Sequence, residues 1–207
     1  MKKSKLAKVL TVSLAALMVF GLASCGGGSG KVSDKDITVI SREEGSGTRD
    51  AFTELTGVLQ DDVDKTVDTA EISNSTSVVT QSVAGNDAAI GYISLGSLDD
   101  TVKAVKVDGV EATVDNIKSG DYKIQRPFNI VTKGEVKELP ADFIKFIMSK
   151  DGQKIIEDEG YISVNENAEA YKASGLKGSI TLAGSTSVSP VMEVLADKYK
   201  ELNSGVT

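Results

Sequence analysis

The 207 residues contain no histidine and no tryptophan. Without His there is no Ser-His-Asp triad, no imidazole metal ligand and no imidazole pH switch. Aromatic residues make up 5%, too few to build a stacking platform for bases or sugars. A net charge of −7 argues against nucleic acid as a partner. The single cysteine permits neither an intrachain disulfide nor a Cys-cluster metal site, so no metal and no cofactor is expected. The remaining composition, 40% hydrophobic and 26% charged, is that of an ordinary soluble chain with enough Ile, Val and Leu for a core. The length fits one domain or two small ones.

The first 24 residues have the composition of a targeting segment. Lys2, Lys3, Lys5 and Lys8 form a positive n-region, and Val9 to Ala23 is an apolar run short for a bilayer span. The run closes on "LASC", Leu22 to Cys25, and the lone cysteine falls where a bacterial lipobox places its lipidated residue. Cleavage before Cys25 would remove the four lysines and leave the remainder at −11. An exported acidic protein, tethered on the extracytoplasmic face of a Gram-positive-like membrane through a palmitate-type anchor on Cys25, is the expectation. "GGGSGKVSDKD" then reads as a flexible tether over 25–36.

Strand and helix signals alternate from residue 37 onward, the pattern of an α/β domain with a mostly parallel sheet. "ITVIS" (37–41) reads as a buried strand and "TRDAFTELTGV" as a helix from Thr48. A helix capped by Asn74 or Ser75 and closed by Gly85 carries Val78, Val79 and Val83 on one face. "AAIGYIS" (88–94), "VKAVKV" (102–107), "RPFNIVT" (126–132) and "SITLA" (179–183) read as further strands. Phe143, Ile144, Ile147 and Met148 mark a helix opened by Pro140, which Ile155 and Ile156 extend past Gly152. Val191, Leu195, Tyr199 and Leu202 mark one face of a last helix.

Two stretches share one grammar of apolar strand, Gly/Ser/Thr loop and helix: "ITVIS-REEGSGT-RDAF" and "SITLA-GSTSVSP-VMEV". A helix N-terminus offers free N–H donors and partial positive charge. Glycine lets the backbone approach an oxyanion, and hydroxyls add donors. Two such ends facing one ligand would surround an anion with neutral donors. Arg42 is the candidate charged donor, and Glu44 the carboxylate that holds it and softens its charge. The loops are neither a P-loop nor Gly-x-Gly-x-x-Gly nor Gly-x-Ser-x-Gly. From the residues alone, N-caps flanked by solvated charges explain them as well as an anion site does. A serine nucleophile would lack an obvious base, so no enzyme is expected. "NST" at Asn74 to Thr76 reads as a helix cap rather than a glycosylation acceptor.

Five segments together resemble the phosphate-binding lipoproteins of phosphate ABC transporters (PstS type): "SREEGSGTRDAF", "NSTSVVTQSVAGNDAAIGYISLGSL", "RPFNIVTKGE", "FIMSKDGQKIIEDEGYI" and "ITLAGSTSVSPVMEVLADKYKELNSGV". The resemblance implies a two-lobed α/β fold of the periplasmic-binding-protein kind (type II), with one lobe over 37–98 and part of a second over 99–207. It implies inorganic phosphate in the cleft and the permease and ATPase subunits of an importer as partners. By the same resemblance Arg42, Ser46, Gly47, Thr48, Thr186 and Ser187 contact phosphate. Sulfate, molybdate or tungstate is the alternative ligand, because the acceptor carboxylate that selects a protonated anion is not in evidence. Relative to the family's usual order the two loops are exchanged, as in a circular permutation, and the chain reads as truncated after Thr207. A surface adhesion or sensor lipoprotein is the reading from another class. Neighbouring genes for a permease and an ATPase would separate the two.

Overall fold

A computed structural model describes residues 36–207. The signal peptide, Cys25 and the tether up to residue 35 lie outside the described residues. Strand β1 (Thr38–Arg42) is the middle of a three-stranded parallel sheet of order β4–β1–β5. β4 (Glu71–Ser73) pairs Ile40 with Glu71 and Arg42 with Ser73. β5 (Ala89–Ile90) pairs Thr38 with Ala89 and Val39 with Ile90. A strand flanked on both edges reads as a continuous buried run rather than an alternating one. Accordingly Ile40, Ser41 and Arg42 are all buried.

β1 and β4 each lead into a helix at their carboxyl ends. After β1 comes α1 (Gly47–Thr56), closed by Gly57 at φ 72°, a left-handed residue suited to glycine. β2 (Leu59–Gln60) and β3 (Val63–Asp64) form a small antiparallel hairpin, with Asp61 and Asp62 both at positive φ in its turn. After β4 comes α2 (Thr76–Ala84), which lays buried Val79 on the sheet. Ser75 precedes it and Gly85 closes it at φ −86°, without the left-handed turn.

Three expected strands form no ladder. "VKAVKV" contributes only a bridge from Val107 to Val110, around Asp108 and Gly109 at positive φ. "RPFNIVT" pairs with no strand among the described residues, and Phe128, Ile130 and Val131 are exposed. "SITLA" is joined only near its start, where a bridge links Gly178 to Val206 and the Ile180 N–H reaches the Thr207 carbonyl at 3.0 Å. "AAIGYIS" shortens to the two residues of β5. β-branched and aromatic side chains favour a pleated surface only where cross-strand neighbours exist.

The second packing centre is helical. Short α3 (Val114–Lys118) is followed by α4 (Glu138–Ile147), α5 (Lys150–Asp158) and α6 (Ser189–Leu202). Phe143, Phe146, Ile147, Tyr161, Val191, Leu195, Tyr199 and Val206 form its buried cluster. The expected continuous helix through Gly152 is two helices. Ser149 ends the first by donating to the Phe146 carbonyl at 2.6 Å, and starts the second by accepting from Gly152 N–H at 3.3 Å. Pro190 sits in the first turn of α6, where its missing N–H costs nothing.

Candidate anion-binding site

Arg42 is the last residue of the central strand, and its side chain is 1% exposed. Its Nε donates to Glu43 Oε2 at 2.9 Å and to the Ser73 carbonyl at 3.1 Å. Nη2 donates to Glu43 Oε1 at 3.0 Å and to Thr186 Oγ1 at 3.1 Å, and Nη1 to Thr76 Oγ1 at 3.3 Å. The carboxylate that forks the guanidinium is therefore Glu43, where the sequence reading assigned Glu44. The cause is the turn after β1. Ser46 N–H returns to the Glu43 carbonyl at 3.2 Å, with Gly45 at φ 79°. Glu44 then sits at the outer corner, exposed. Arg42 holds the Glu43 carboxyl below the usual range for a glutamate.

The turn delivers the chain into α1. Ser46 is buried and its hydroxyl caps the helix, accepting from Arg49 N–H at 3.4 Å. Gly47 is the first helical residue, and its carbonyl accepts from Arg126 Nη2 at 2.6 Å. Arg49 locks the other side of the helix. It donates to the Arg42 carbonyl at 2.9 Å and pairs with Asp64 at 2.7 Å. Bonds from Thr66, and then the Arg49 pair, lower the Asp64 carboxyl to about 2.

The second loop meets the first directly. Thr48 Oγ1 lies 2.6 Å from Ser187 Oγ, 139 residues away in sequence. Ser187 is fully buried, and its carbonyl accepts from Tyr161 OH at 2.7 Å and Ser94 Oγ at 3.1 Å. Thr76 joins the same cluster, 3.1 Å from Thr186 Oγ1 and 3.2 Å from Ser187 Oγ. The starts of α1, α2 and α6 thus converge on one point beside a buried arginine. The arrangement presents hydroxyls, helix-end N–H groups and a guanidinium whose charge Glu43 balances. That is a donor set for a compact oxyanion in a molecule of negative net charge.

Residues 28–151 match the PBP superfamily domain. The chain is 50% identical over 213 aligned residues to the phosphate-binding protein PstS 2 of Streptococcus agalactiae, covering 100% of this chain and 72% of that protein. The chain belongs to the PstS-type family. Two crystal structures are similar. One is a phosphate ABC transporter phosphate-binding protein from Streptococcus pneumoniae, at TM-score 0.70 and 50% identity, over 84% of this chain and 69% of that one. The other is a phosphate ABC transporter substrate-binding protein from Clostridium perfringens with bound phosphate, at TM-score 0.58 and 46% identity, over 62% of this chain and 52% of that one. The PstS-type family consists of solute-binding proteins, not enzymes.

Of the residues named from sequence, Arg42, Thr48, Thr186 and Ser187 are in direct hydrogen-bond contact with one another or through Thr76. Ser46 and Gly47 form the backbone of the same turn, while Glu44 is exposed at its corner. Thr76, Glu43, Tyr92 and Tyr161 were not foreseen. Tyr92 OH accepts from the Arg42 N–H at 3.1 Å and lies 2.7 Å from Ser41 Oγ. Its ring stacks on Phe52 of α1 at 4.2 Å. The signal for Thr76 was present, since "EIS-NS-TSVV" repeats the strand, hydroxyl loop and helix grammar of the other two ends.

Proposed function

We propose that the chain captures inorganic phosphate on the extracytoplasmic side of the membrane and hands it to the permease and ATPase subunits of an ABC importer. The observation that carries this reading is Arg42, buried at the end of the central strand where the Thr48, Thr76 and Thr186–Ser187 loops meet. In that reading Arg42, Ser46, Gly47, Thr48, Thr186 and Ser187 contact the anion, and Glu43 takes the supporting place first given to Glu44. The sheet segment, 37–98, and the segment with the helical core, 99–207, form the two sides of the binding cleft. Cys25 carries the lipid that keeps the protein at the membrane. The names of the relatives support phosphate over other tetrahedral oxyanions.

Isothermal titration of phosphate into the native chain tests the proposal. Binding is expected, with a loss of about tenfold or more in Thr48→Ala and Arg42→Lys, as removal of a hydrogen bond to a charged group predicts. No phosphate binding by the native chain, or unchanged affinity in both variants, overturns it.

A further inference from the structure

Resting on the anion-binding reading above, we propose that Thr76 is a positioning residue that relays the polarity set by Arg42, fills a Ser187 lone pair, and so keeps the Ser187–Thr48 end of the hydroxyl chain rich in donors for the anion. Each Ser or Thr hydroxyl has one proton to donate and two lone pairs to accept with. Thr186 Oγ1 accepts from Arg42 Nη2 at 3.1 Å and from Thr76 N–H at 3.4 Å. Both of its lone pairs are then used, so its proton points to Thr76 Oγ1, 3.1 Å away. Thr76 Oγ1 accepts that proton and one from Arg42 Nη1 at 3.3 Å. It is now filled in turn, and its own proton goes to Ser187 Oγ at 3.2 Å.

The chain ends at the Ser187–Thr48 pair, 2.6 Å apart. One proton makes that bond, in either direction, and the other is left over. The open end of the relay is therefore a hydroxyl donor, whichever residue holds it. Arg42, which cannot lose its proton, fixes the polarity from the opposite end. Thr76 is the single link between the two, is 3% exposed, and belongs to α2 rather than to either loop identified from sequence. Remove its hydroxyl and Thr186 loses its acceptor. Ser187 and Thr48 keep one spare proton between them, but the Ser187 lone pair that Thr76 had filled is open, so an oxyanion meets one more acceptor.

The test compares the native chain with Thr76→Val, which keeps the shape without the hydroxyl, and Thr76→Ser, which keeps the hydroxyl without the methyl. Circular dichroism and thermal unfolding establish that each is folded. Titration with inorganic phosphate is expected to show about a tenfold or greater loss in Thr76→Val and near-native binding in Thr76→Ser. Native affinity in Thr76→Val overturns the proposal, and so does a Thr76→Ser variant as weak as Thr76→Val. If Thr76→Val does not fold, Thr76→Ala is measured against Thr76→Ser with the same readings. If the native chain binds no phosphate, the functional reading fails separately. The relay is then judged by a crystal structure of Thr76→Val, where an unchanged Thr48–Ser187 bond and unchanged Thr186 rotamer overturn it.

Discussion

Arg42 is 1% exposed, and a guanidinium taken out of water needs either a counter-charge or a full set of acceptors. It has some of each: the Glu43 fork, the Ser73 carbonyl and two threonine hydroxyls. Glu43 is more accessible, at 36% exposure, so it balances the charge from the solvent side without filling the pocket. The pair explains how an anion can enter without the site being strongly cationic when empty. Glu43→Gln keeps the shape and removes the balance. In the absence of anion the variant should be destabilised by about 1–2 kcal/mol, and phosphate should raise its melting temperature more than it raises that of the native chain. Glu44→Gln, at the exposed corner of the same turn, should change neither. Because the folded-state Glu43 carboxyl titrates low, its contribution is present above the ordinary glutamate value of about 4.3 and fades as pH falls through the folded value. The gap between native and Glu43→Gln should close on acidification. Equal melting and equal phosphate response in native chain, Glu43→Gln and Glu44→Gln would show that the fork has no bearing on the site.

At the scale of elements, three helix starts make the site, two of them at the ends of strands β1 and β4. Two of the three were legible because Gly-Ser-Gly-Thr and Gly-Ser-Thr-Ser break apolar runs with residues suited to free helix ends. The third was masked by an ordinary capping signature. Helices were the more legible elements, since periodicity is a local property: α1, α2 and α6 start within two residues of where the sequence puts them. Strands were less so, because "RPFNIVT" and "SITLA" have strand composition and lack the partners that would make them strands. Which carboxylate meets Arg42 was not legible either. It depends on the turn that returns the Ser46 N–H to the Glu43 carbonyl. The break between α4 and α5 has a physical cause that can be tested. A Cβ on Gly152 would stand 2.2 Å from the Phe146 carbonyl oxygen and 2.6 Å from that of Ile147. Backbone atoms cannot swing aside as a side-chain tip can. Helix propensity alone favours alanine over glycine by about 1 kcal/mol, so the sign of the effect decides between the two. Gly152→Ala should destabilise the fold by about 1–3 kcal/mol, read by denaturant unfolding. A stabilised variant would mean that α5 can shift away from α4 at no cost.

The whole molecule is acidic, at −7 for the entire chain and −11 once the n-region lysines are gone. That charge bears on where the protein resides more than on what it binds. Close to the site, hydroxyls and helix ends act over a few ångströms, whereas the net charge is screened beyond about 8 Å at physiological salt. At a membrane the balance is different. Anionic lipid surfaces attract polybasic segments, and a chain of this charge is repelled from them. Among the described residues no helix is long and apolar enough to cross a bilayer. In the function proposed above, retention at the surface rests on a lipid carried by the lone Cys25 of "LASC". One acyl chain holds a protein only marginally, while two anchor it stably, which a diacylated cysteine provides. If Cys25 carries that lipid, its loss should be read directly in membrane retention. In cells fed labelled fatty acid, the native chain should carry label and sediment with membranes. Cys25→Ser should carry none and should appear in the soluble extracytoplasmic fraction with its phosphate affinity intact, since the site lies wholly in residues that the anchor does not touch. Label retained in Cys25→Ser, or an unlabelled variant that still sediments with membranes, would rule out a single covalent anchor.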